Sequence, residues 1–197
     1  MSAQDIRAAL AAAVSPKYRL DRDDWVKVDG EKLYRIVALK DFGDVEAGQR
    51  GGYIAGGHNL SQTGNCWVSG LGRVMKNGRV EKNALVCDFA EITDEALLTD
   101  DAQASGRGHV GGRARILDCG AVSDRARVVG AAELSDRARA GGDALISGRS
   151  TLSGAAFVHG TCVVAGTQNF SGDVDLDGGT WMGSAVPAES VLTVSGP

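Results

Sequence analysis

The sequence is poor in proline, histidine and aromatic residues: its 197 residues include three prolines, three histidines and 5% aromatics. It contains no uninterrupted apolar run long enough to cross a membrane, so we expect no membrane partner. Its four cysteines are scattered and form no Cys-x-x-Cys pair. This usage predicts reduced thiols in a cytosolic compartment and argues against a disulfide framework or a zinc site.

Basic residues are missing from the last quarter of the chain. Residues 1–65 contain nine acidic and nine basic side chains, and residues 66–149 contain twelve of each. Residues 150–197 contain four acidic side chains and no Lys or Arg. Because no basic groove extends along the chain, we expect no nucleic-acid duplex as a partner.

The chain does have a strict period of six residues. Every sixth residue from Val68 to Met182 is apolar, with a small residue two positions before it and usually Gly or Asp two positions after it. In a strand the small and the large apolar residue point to the same face, and Gly and Asp tolerate the positive φ of a corner. The pattern predicts an all-β fold, a parallel β-helix of about six three-walled coils over residues 66–183.

Residues 1–65 do not follow this period. Residues 1–14 form an Ala-rich stretch that we expect to be a short amphipathic helix. Two extended runs flank Asp29-Gly30, a strong turn signal, and predict a β-hairpin. We expect residues 1–65 to be a helix and hairpin cap on the open end of the β-helix, and residues 184–197 to be a tail strand.

Residues 33–68 read LYRIVALKDFGDVEAGQRGGYIAGGHNLSQTGNCWV. This stretch resembles the segment that precedes the hexapeptide repeats in a family of phage, prophage and bacterial proteins. Members of that family are often labelled acyltransferases or polymer-forming proteins, largely on the basis of their fold. The resemblance implies a left-handed β-helix, although strand-crossover geometry alone would favour the right hand. It also implies a location in the cytoplasm of the bacterial host cell or in the virion.

The three histidines, His58, His109 and His159, are the candidate general bases of an acyltransferase. His109 and His159 are predicted to face outward on different walls, nearly three coils apart, so they would not converge within one subunit. No insertion interrupts the repeat between residues 66 and 182, so no loop would wall off a substrate cleft. We therefore favour surface roles for all three histidines, with no catalytic residue and no cofactor.

Asp173, Asp175 and Asp177 are candidate ligands for a hard cation, because oxygen ligands follow one another there at strand spacing. The alternative is a solvated acidic end that resists end-to-end stacking. We favour the solvated end and expect no metal.

One wall is predicted to carry apolar residues at outward positions toward the C-terminus. Outward apolar residues in register mark an interface, unless residues 190–194 fold back over them. Because hexapeptide helices commonly form trimers, we expect a homotrimer. The expected interface residues are Val129, Leu145, Val163, Ala165 and Trp181, with Phe157 adjoining from the preceding wall.

Three functions remain open at this point. The leading hypothesis is a non-enzymatic, phage-type β-helix protein that serves as a rigid oligomeric structural or interaction module and binds and blocks a host protein. The alternatives are an acyltransferase with a site between subunits, and a small-ligand or cation binder at the Asp-rich end. The unbroken repeat favours the module, because an enzyme needs a converging base and a pocket.

Overall fold

The structure is a computed structural model that describes residues 15–184 and 193–195. The helix expected over residues 1–14 lies outside the described residues. Within the described ranges every regular element is a strand, and no helix there is long and apolar enough to cross a membrane. The all-β prediction is thus confirmed.

Most strands contain two residues and form one side of a coil. They are β1 (Tyr18–Val28), β2 (Glu31–Ala38), β3 (Arg50–Ile54), β4 (Trp67–Val68), β5 (Arg73–Val74), β6 (Arg79–Val80), β7 (Leu85–Val86), β8 (Glu91–Ile92), β9 (Leu97–Leu98), β10 (Gln103–Ala104), β11 (His109–Val110), β12 (Arg115–Ile116), β13 (Ala121–Val122), β14 (Arg127–Val128), β15 (Glu133–Leu134), β16 (Arg139–Ala140), β17 (Leu145–Ile146), β18 (Thr151–Leu152), β19 (Phe157–His159), β20 (Val163–Thr167), β21 (Asn169–Phe170), β22 (Asp175–Asp177), β23 (Thr180–Ser184) and β24 (Thr193–Ser195).

These strands form three sheets, which we name wall A, wall B and wall C. Wall A has the order β1-β2-β3-β5-β8-β11-β14-β17-β20-β23, wall B the order β6-β9-β12-β15-β18-β21, and wall C the order β4-β7-β10-β13-β16-β19-β22-β24. From β3 onward the pairing is parallel, as when Val110 pairs with Ile92 and with Val128. Eight solenoid strands on wall A make about seven coils, slightly more than the six expected. The hand remains an expectation from the resemblance.

The interior is filled by the two inward residues of each hexad, as the period predicts. Ala114 and Ile116 are both fully buried, and so are Ala126 and Val128. A small residue beside each large one lets the narrow interior reach the packing density of a protein core without overlap.

The corners use the left-handed backbone conformation that the sequence predicted for Gly and Asp. Lys76 and Lys82 also adopt it, with φ of 52° and 56°, and each forms an ion pair with an aspartate one coil further on. The corner aspartates have φ between 52° and 63°, and they are Asp88, Asp94, Asp100, Asp118, Asp124 and Asp136.

The N-terminal hairpin is present and joins wall A. Strands β1 and β2 pair antiparallel around Asp29-Gly30, both of which have positive φ. Strand β2 then pairs antiparallel with β3, the first strand of the solenoid on that wall. Because β2 occupies the edge of β3, the hairpin covers the first open edge of wall A.

Parallel pairing begins at Tyr53, before the Cys66 at which the repeat was expected to start. Ile54 pairs with Val74, and Leu60 forms a parallel bridge to Val80. Both steps are longer by two positions than the regular step, which joins Val68 to Val86. The corner between Leu60 and Val68 is therefore widened by a two-residue insertion. The division of the chain at residues 65 and 183 stays a prediction.

Lys17 holds this widened corner together. Its buried Nζ donates to the carbonyl oxygens of Gly64 and Cys66, at 3.3 and 2.8 Å, and lies 3.2 Å from Cys66 Sγ. Burial lowers the pKa of Lys17 and raises the pKa of the Cys66 thiol. The extra carbonyl groups of the insertion are thus satisfied by a side chain from the start of the hairpin.

The last coil is one residue shorter than the others. Val164 pairs with Trp181, whereas the regular repeat would pair it with Met182. The missing residue falls at the corner that contains Gly178 and Gly179, both with positive φ. The register moves by one position, so the inward place passes from Met182 to Trp181.

The expected outward orientation of Trp181 is therefore corrected. Its indole packs against the core and meets Phe170 edge-on, with ring centroids 5.8 Å apart. Met182, predicted to be buried, is 70% exposed. An odd-length corner exchanges the two faces of a strand, because side chains alternate with a period of two.

Candidate functional site

His109 lies on the outer face of wall A, in strand pairs with Glu91 and Arg127. Its Nδ1 lies 3.8 Å from Glu91 Oε2. Burial lowers the pKa of His109 below its usual value and the charge of Arg127 lowers it further, while Glu91 opposes both. The ring is therefore a neutral imidazole near neutral pH and can accept a proton.

The same outer face carries Arg73 one coil before Glu91. Arg73 Nη1 donates to Glu91 Oε1 at 2.9 Å, so Glu91 lies between a guanidinium group and the imidazole of His109. Arg73 Nε is buried and has no hydrogen-bond acceptor among the described residues. We call the outward row of Arg73, Glu91 and His109 the charged ladder. Arg73 Nε is an unused hydrogen-bond donor at its side.

His58 lies at the corner after β3, outside this ladder. Its Nε2 is 2.7 Å from the carbonyl oxygen of Lys76, and the residue is exposed. His159 lies on wall C. The structure therefore places the three candidate histidines at a corner, on wall A and on wall C, and brings no two of them together.

His159 instead meets two of the candidate metal ligands. Its Nε2 is 2.8 Å from Asp175 Oδ1, and its Nδ1 is 3.6 Å from Asp177 Oδ1. Phe157 stacks on the imidazole, with ring centroids 4.3 Å apart. The repeat of 18 relates His159 to Asp177, a signal that sequence reasoning missed.

Asp173 stands apart from this cluster. It is an exposed residue ahead of β22, whereas Asp175 and Asp177 share the outer face of that strand. In the part of the chain that the structure describes, no three His, Cys, Asp or Glu side chains are placed to hold a metal ion. The chemistry of the Asp-rich end is thus a histidine between two carboxylates.

The apolar stripe predicted on wall A is present in part. Leu145 pairs with Arg127 on one side and with Val163 on the other, and Val129 and Ala165 lie on the same wall. All four apolar residues are half-buried. We call Val129, Leu145, Val163 and Ala165 the wall A stripe.

Of the other two expected interface residues, Trp181 departs from its predicted orientation and Phe157 lies on its predicted wall. Trp181 points inward, and Met182 occupies the outward position that pairs with Ala165. Phe157 is on wall C, where the Arg139 guanidinium lies 4.4 Å from its ring centroid. Phe157 thus lies on the wall that precedes wall A, as predicted, and the assignment of these residues to an interface stays a prediction.

A groove that sequence reasoning missed lies along the corner between wall C and wall A. Its volume is about 580 Å³, and its lining includes Phe89, Arg107 and Arg125. These three side chains occupy the same corner position in successive coils. A second cavity of about 300 Å³ adjoins it and is lined by Arg73, Phe89, Glu91 and Arg107. The repeat of 18 predicts that these residues form one row, but it does not predict that a groove lies along the row.

No family model matches the chain. A stretch of 59 residues is 42% identical to an uncharacterized acetyltransferase of Escherichia coli strain K12, YdcK, and covers 26% of this chain. The match covers 18% of that protein, so the chain spans less than a fifth of the relative's length. This likeness fits the hexapeptide-repeat β-helix described above, while the resemblance of residues 33–68 to a phage family stays a prediction.

Proposed function

We propose that the chain is a non-enzymatic, self-associating β-helix module, a homotrimer joined through the C-terminal half of wall A. The observation that supports this most strongly is the change of chemistry along that wall. Its outward row begins with Arg73, Glu91, His109 and Arg127 and continues with Leu145 and Val163 in the same register. A wall that changes from charged to apolar within two coils has one half suited to water and one half suited to burial.

Charge composition supports contact between identical copies at this half. Residues 150–197 contain no Lys or Arg, so a parallel arrangement around a threefold axis places no basic side chains of that segment against one another. Met182, 70% exposed beside Ala165, extends the apolar surface by one strand. The stripe therefore offers identical copies a contact surface along several coils.

The wall A stripe is covered either by the tail of the same chain or by a second copy of the chain. The described part of the tail supports the second copy. Strand β24 pairs in parallel with β22, as in the pair Leu176 and Val194. That pairing places Thr193–Ser195 on wall C, not over Leu145 and Val163 on wall A.

The backbone makes such a module rigid. Amides of one coil donate to carbonyls of the next: His109 N bonds Ala126 O at 2.9 Å, and Arg127 N bonds Ala144 O at 2.8 Å. Repeated hydrogen bonds of this kind fix the spacing of side chains on each face. In this proposal the rod works in the bacterial host cell or in the virion and uses its remaining faces to bind and block a host protein.

The test is the mass of the protein with the stripe made acidic. Leu145→Glu combined with Val163→Glu places six carboxylates around the threefold axis and should yield monomers by light scattering. Leu85→Glu is the matched control, because Leu85 is 41% exposed but lies on wall C. If the double variant keeps the mass of the native oligomer, the stripe is not the interface.

A second candidate function is acetyl transfer at a site between subunits. It is supported by the likeness to the uncharacterized acetyltransferase and by His109, a neutral imidazole beside Glu91 on the wall that bears the stripe. Acetyl-CoA titrated by calorimetry into the native protein and into His109→Ala separates the two functions. Binding that His109→Ala weakens, together with acetyl transfer that it abolishes, favours the enzyme; His159→Ala is the control.

A further inference from the structure

The two cavities at the corner between wall C and wall A share Phe89 and Arg107 as their common border. We propose that together they bind an aromatic anion, a small molecule with a planar apolar body and a carboxylate, sulfonate or phosphate group. The planar body lies against Phe89 in the larger groove, and the anionic group lies between Arg73 and Arg107 in the smaller cavity.

Phe89 provides the surface for the planar body. Its side chain is 51% exposed, unusual for a phenylalanine, and Leu71, which precedes it by one coil at the same corner, is 41% exposed. Aromatic rings gain from stacked or edge-on contacts with other rings beyond the area they bury. The larger groove alone, at about 580 Å³, is within the range of small-molecule sites.

The floor of the groove stays open because of its corner residues. Asp88 Oδ2 accepts a hydrogen bond from the Gly106 amide at 2.9 Å, and Asp124 Oδ2 accepts one from the Gly142 amide at 3.0 Å. Gly106 and Gly142 have no side chain to fill the groove. A Cβ at Gly106 would come within 3.0 Å of the Asp124 backbone, so a larger residue there would require the next coil to shift.

Arg107 is the group that would bind the anion. Two other corner arginines have acidic partners: Arg125 pairs with Asp143 at 2.5 Å, and Arg113 with Glu95 at 3.6 Å. Arg137 and Arg149, like Arg107, belong to no ion pair among the described residues, but neither of them lines the groove or the smaller cavity. No ion pair found among the described residues includes Arg107, whose guanidinium lies 5.7 Å from the Phe89 ring centroid. It is thus a cation beside an aromatic surface with its hydrogen-bond donors available.

Arg73 provides a second, independent indication. Its Nη1 is bound to Glu91, but its Nε is buried and has no acceptor among the described residues. Buried donors are almost always satisfied, so an unsatisfied one at the edge of a cavity indicates a missing acceptor. The smaller cavity is lined by the guanidinium groups of Arg73 and Arg107 and by the carboxylate of Glu91. Its charged side chains are therefore net positive, which favours an anion.

The probes for the test are 8-anilinonaphthalene-1-sulfonate and N-phenyl-1-naphthylamine, which have the same aromatic body with and without an anionic group. Both are titrated by fluorescence into the full chain. We expect Arg107→Ala to weaken binding of the sulfonate about tenfold, the size expected for one charged hydrogen bond, and to leave binding of the amine unchanged. Phe89→Ala should weaken both.

Arg113→Ala is the matched control, because Arg113 is a corner arginine outside the groove and already has an acidic partner. Leu145→Glu reports any binding of the probes to the wall A stripe. The proposal is overturned if Arg107→Ala binds the sulfonate as tightly as the native protein, or if Arg113→Ala weakens it equally. It is also overturned if Leu145→Glu removes the sulfonate signal, since the probe would then bind the stripe.

Discussion

The Asp118 carboxylate accepts a hydrogen bond from the backbone amide of Asp136, one coil further along the same corner, at 3.1 Å. Asp136 in turn accepts from the Gly154 amide at 2.8 Å. Aspartate therefore does two things at a corner: it tolerates positive φ, and its carboxylate bonds the amide stacked above it. A backbone amide dipole thus compensates the charge of Asp118 and of Asp136.

Removing one of these carboxylates should destabilise the coil. Asp118→Ala loses an acceptor for a backbone amide and places alanine at a φ of 52°, so we expect the free energy of unfolding to fall by about 1–3 kcal/mol. Asp118→Gly should lose less, because glycine adopts this φ freely. Urea unfolding followed by circular dichroism measures both.

Asp173→Ala is the control for this series, since Asp173 is exposed and its carboxylate has no hydrogen bond among the described residues. Equal stability of Asp118→Ala and Asp173→Ala would show that the interstrand carboxylate bond contributes nothing.

The buried amine of Lys17 should stabilise the widened corner. Lys17→Met keeps the length of the side chain and removes its donors to Gly64 and Cys66, so we expect a loss of about 1–3 kcal/mol in urea unfolding. Lys40→Met, which alters an exposed lysine, should change stability little. A stable Lys17→Met protein would mean that the corner finds other donors.

The exchange of Trp181 and Met182 gives a direct test of register. Trp181→Ala removes an inward ring that packs on Phe170 and should lower the free energy of unfolding by about 2 kcal/mol or more. Met182→Ala removes an exposed side chain and should be nearly neutral in the monomeric Leu145→Glu, Val163→Glu background. If Met182→Ala lost more stability than Trp181→Ala, Met182 would be the inward residue and the repeat of 18 would continue unchanged through the last coil.

His109 should make stability depend on pH. Its pKa is lowered by burial and by Arg127, so in the window below its ordinary value of 6.5 the unfolded chain binds a proton that the folded chain does not. Stability then decreases as the pH falls through this window. The difference in unfolding free energy between His109→Gln and the native protein should increase in favour of the variant from pH 7.5 to pH 5. A constant difference would mean that His109 titrates alike in both states.

The sequence predicts the solenoid well because its period states the geometry directly. Val110 and Val128 are 18 residues apart and pair across neighbouring coils. A repeat of this length specifies which side chains point inward and which residues stack on one another. The sequence does not show that the corner at Gly178 is one residue short, since glycine suits corners of either length. It also hides the two-residue widening after Leu60, which depends on Lys17, a residue far away in the chain.

The candidate sites are less predictable, because they depend on which side chains adjoin across coils. His159 and Asp177 are one repeat apart, yet their contact became evident only with the orientation of both side chains. The groove at Phe89 requires Gly106 beneath it and an arginine without an acidic partner beside it, features that the period of six does not encode. Interfaces between copies are harder still to predict from the sequence, because one chain contains only one side of each contact.

The most direct test of the proposed module is the mass of the native protein in solution, measured by light scattering at micromolar concentration. The wall A stripe predicts a homotrimer, with three times the chain mass of 20.4 kDa. A mass of 20.4 kDa at that concentration would contradict the account, because the stripe would then remain exposed to water without a partner subunit.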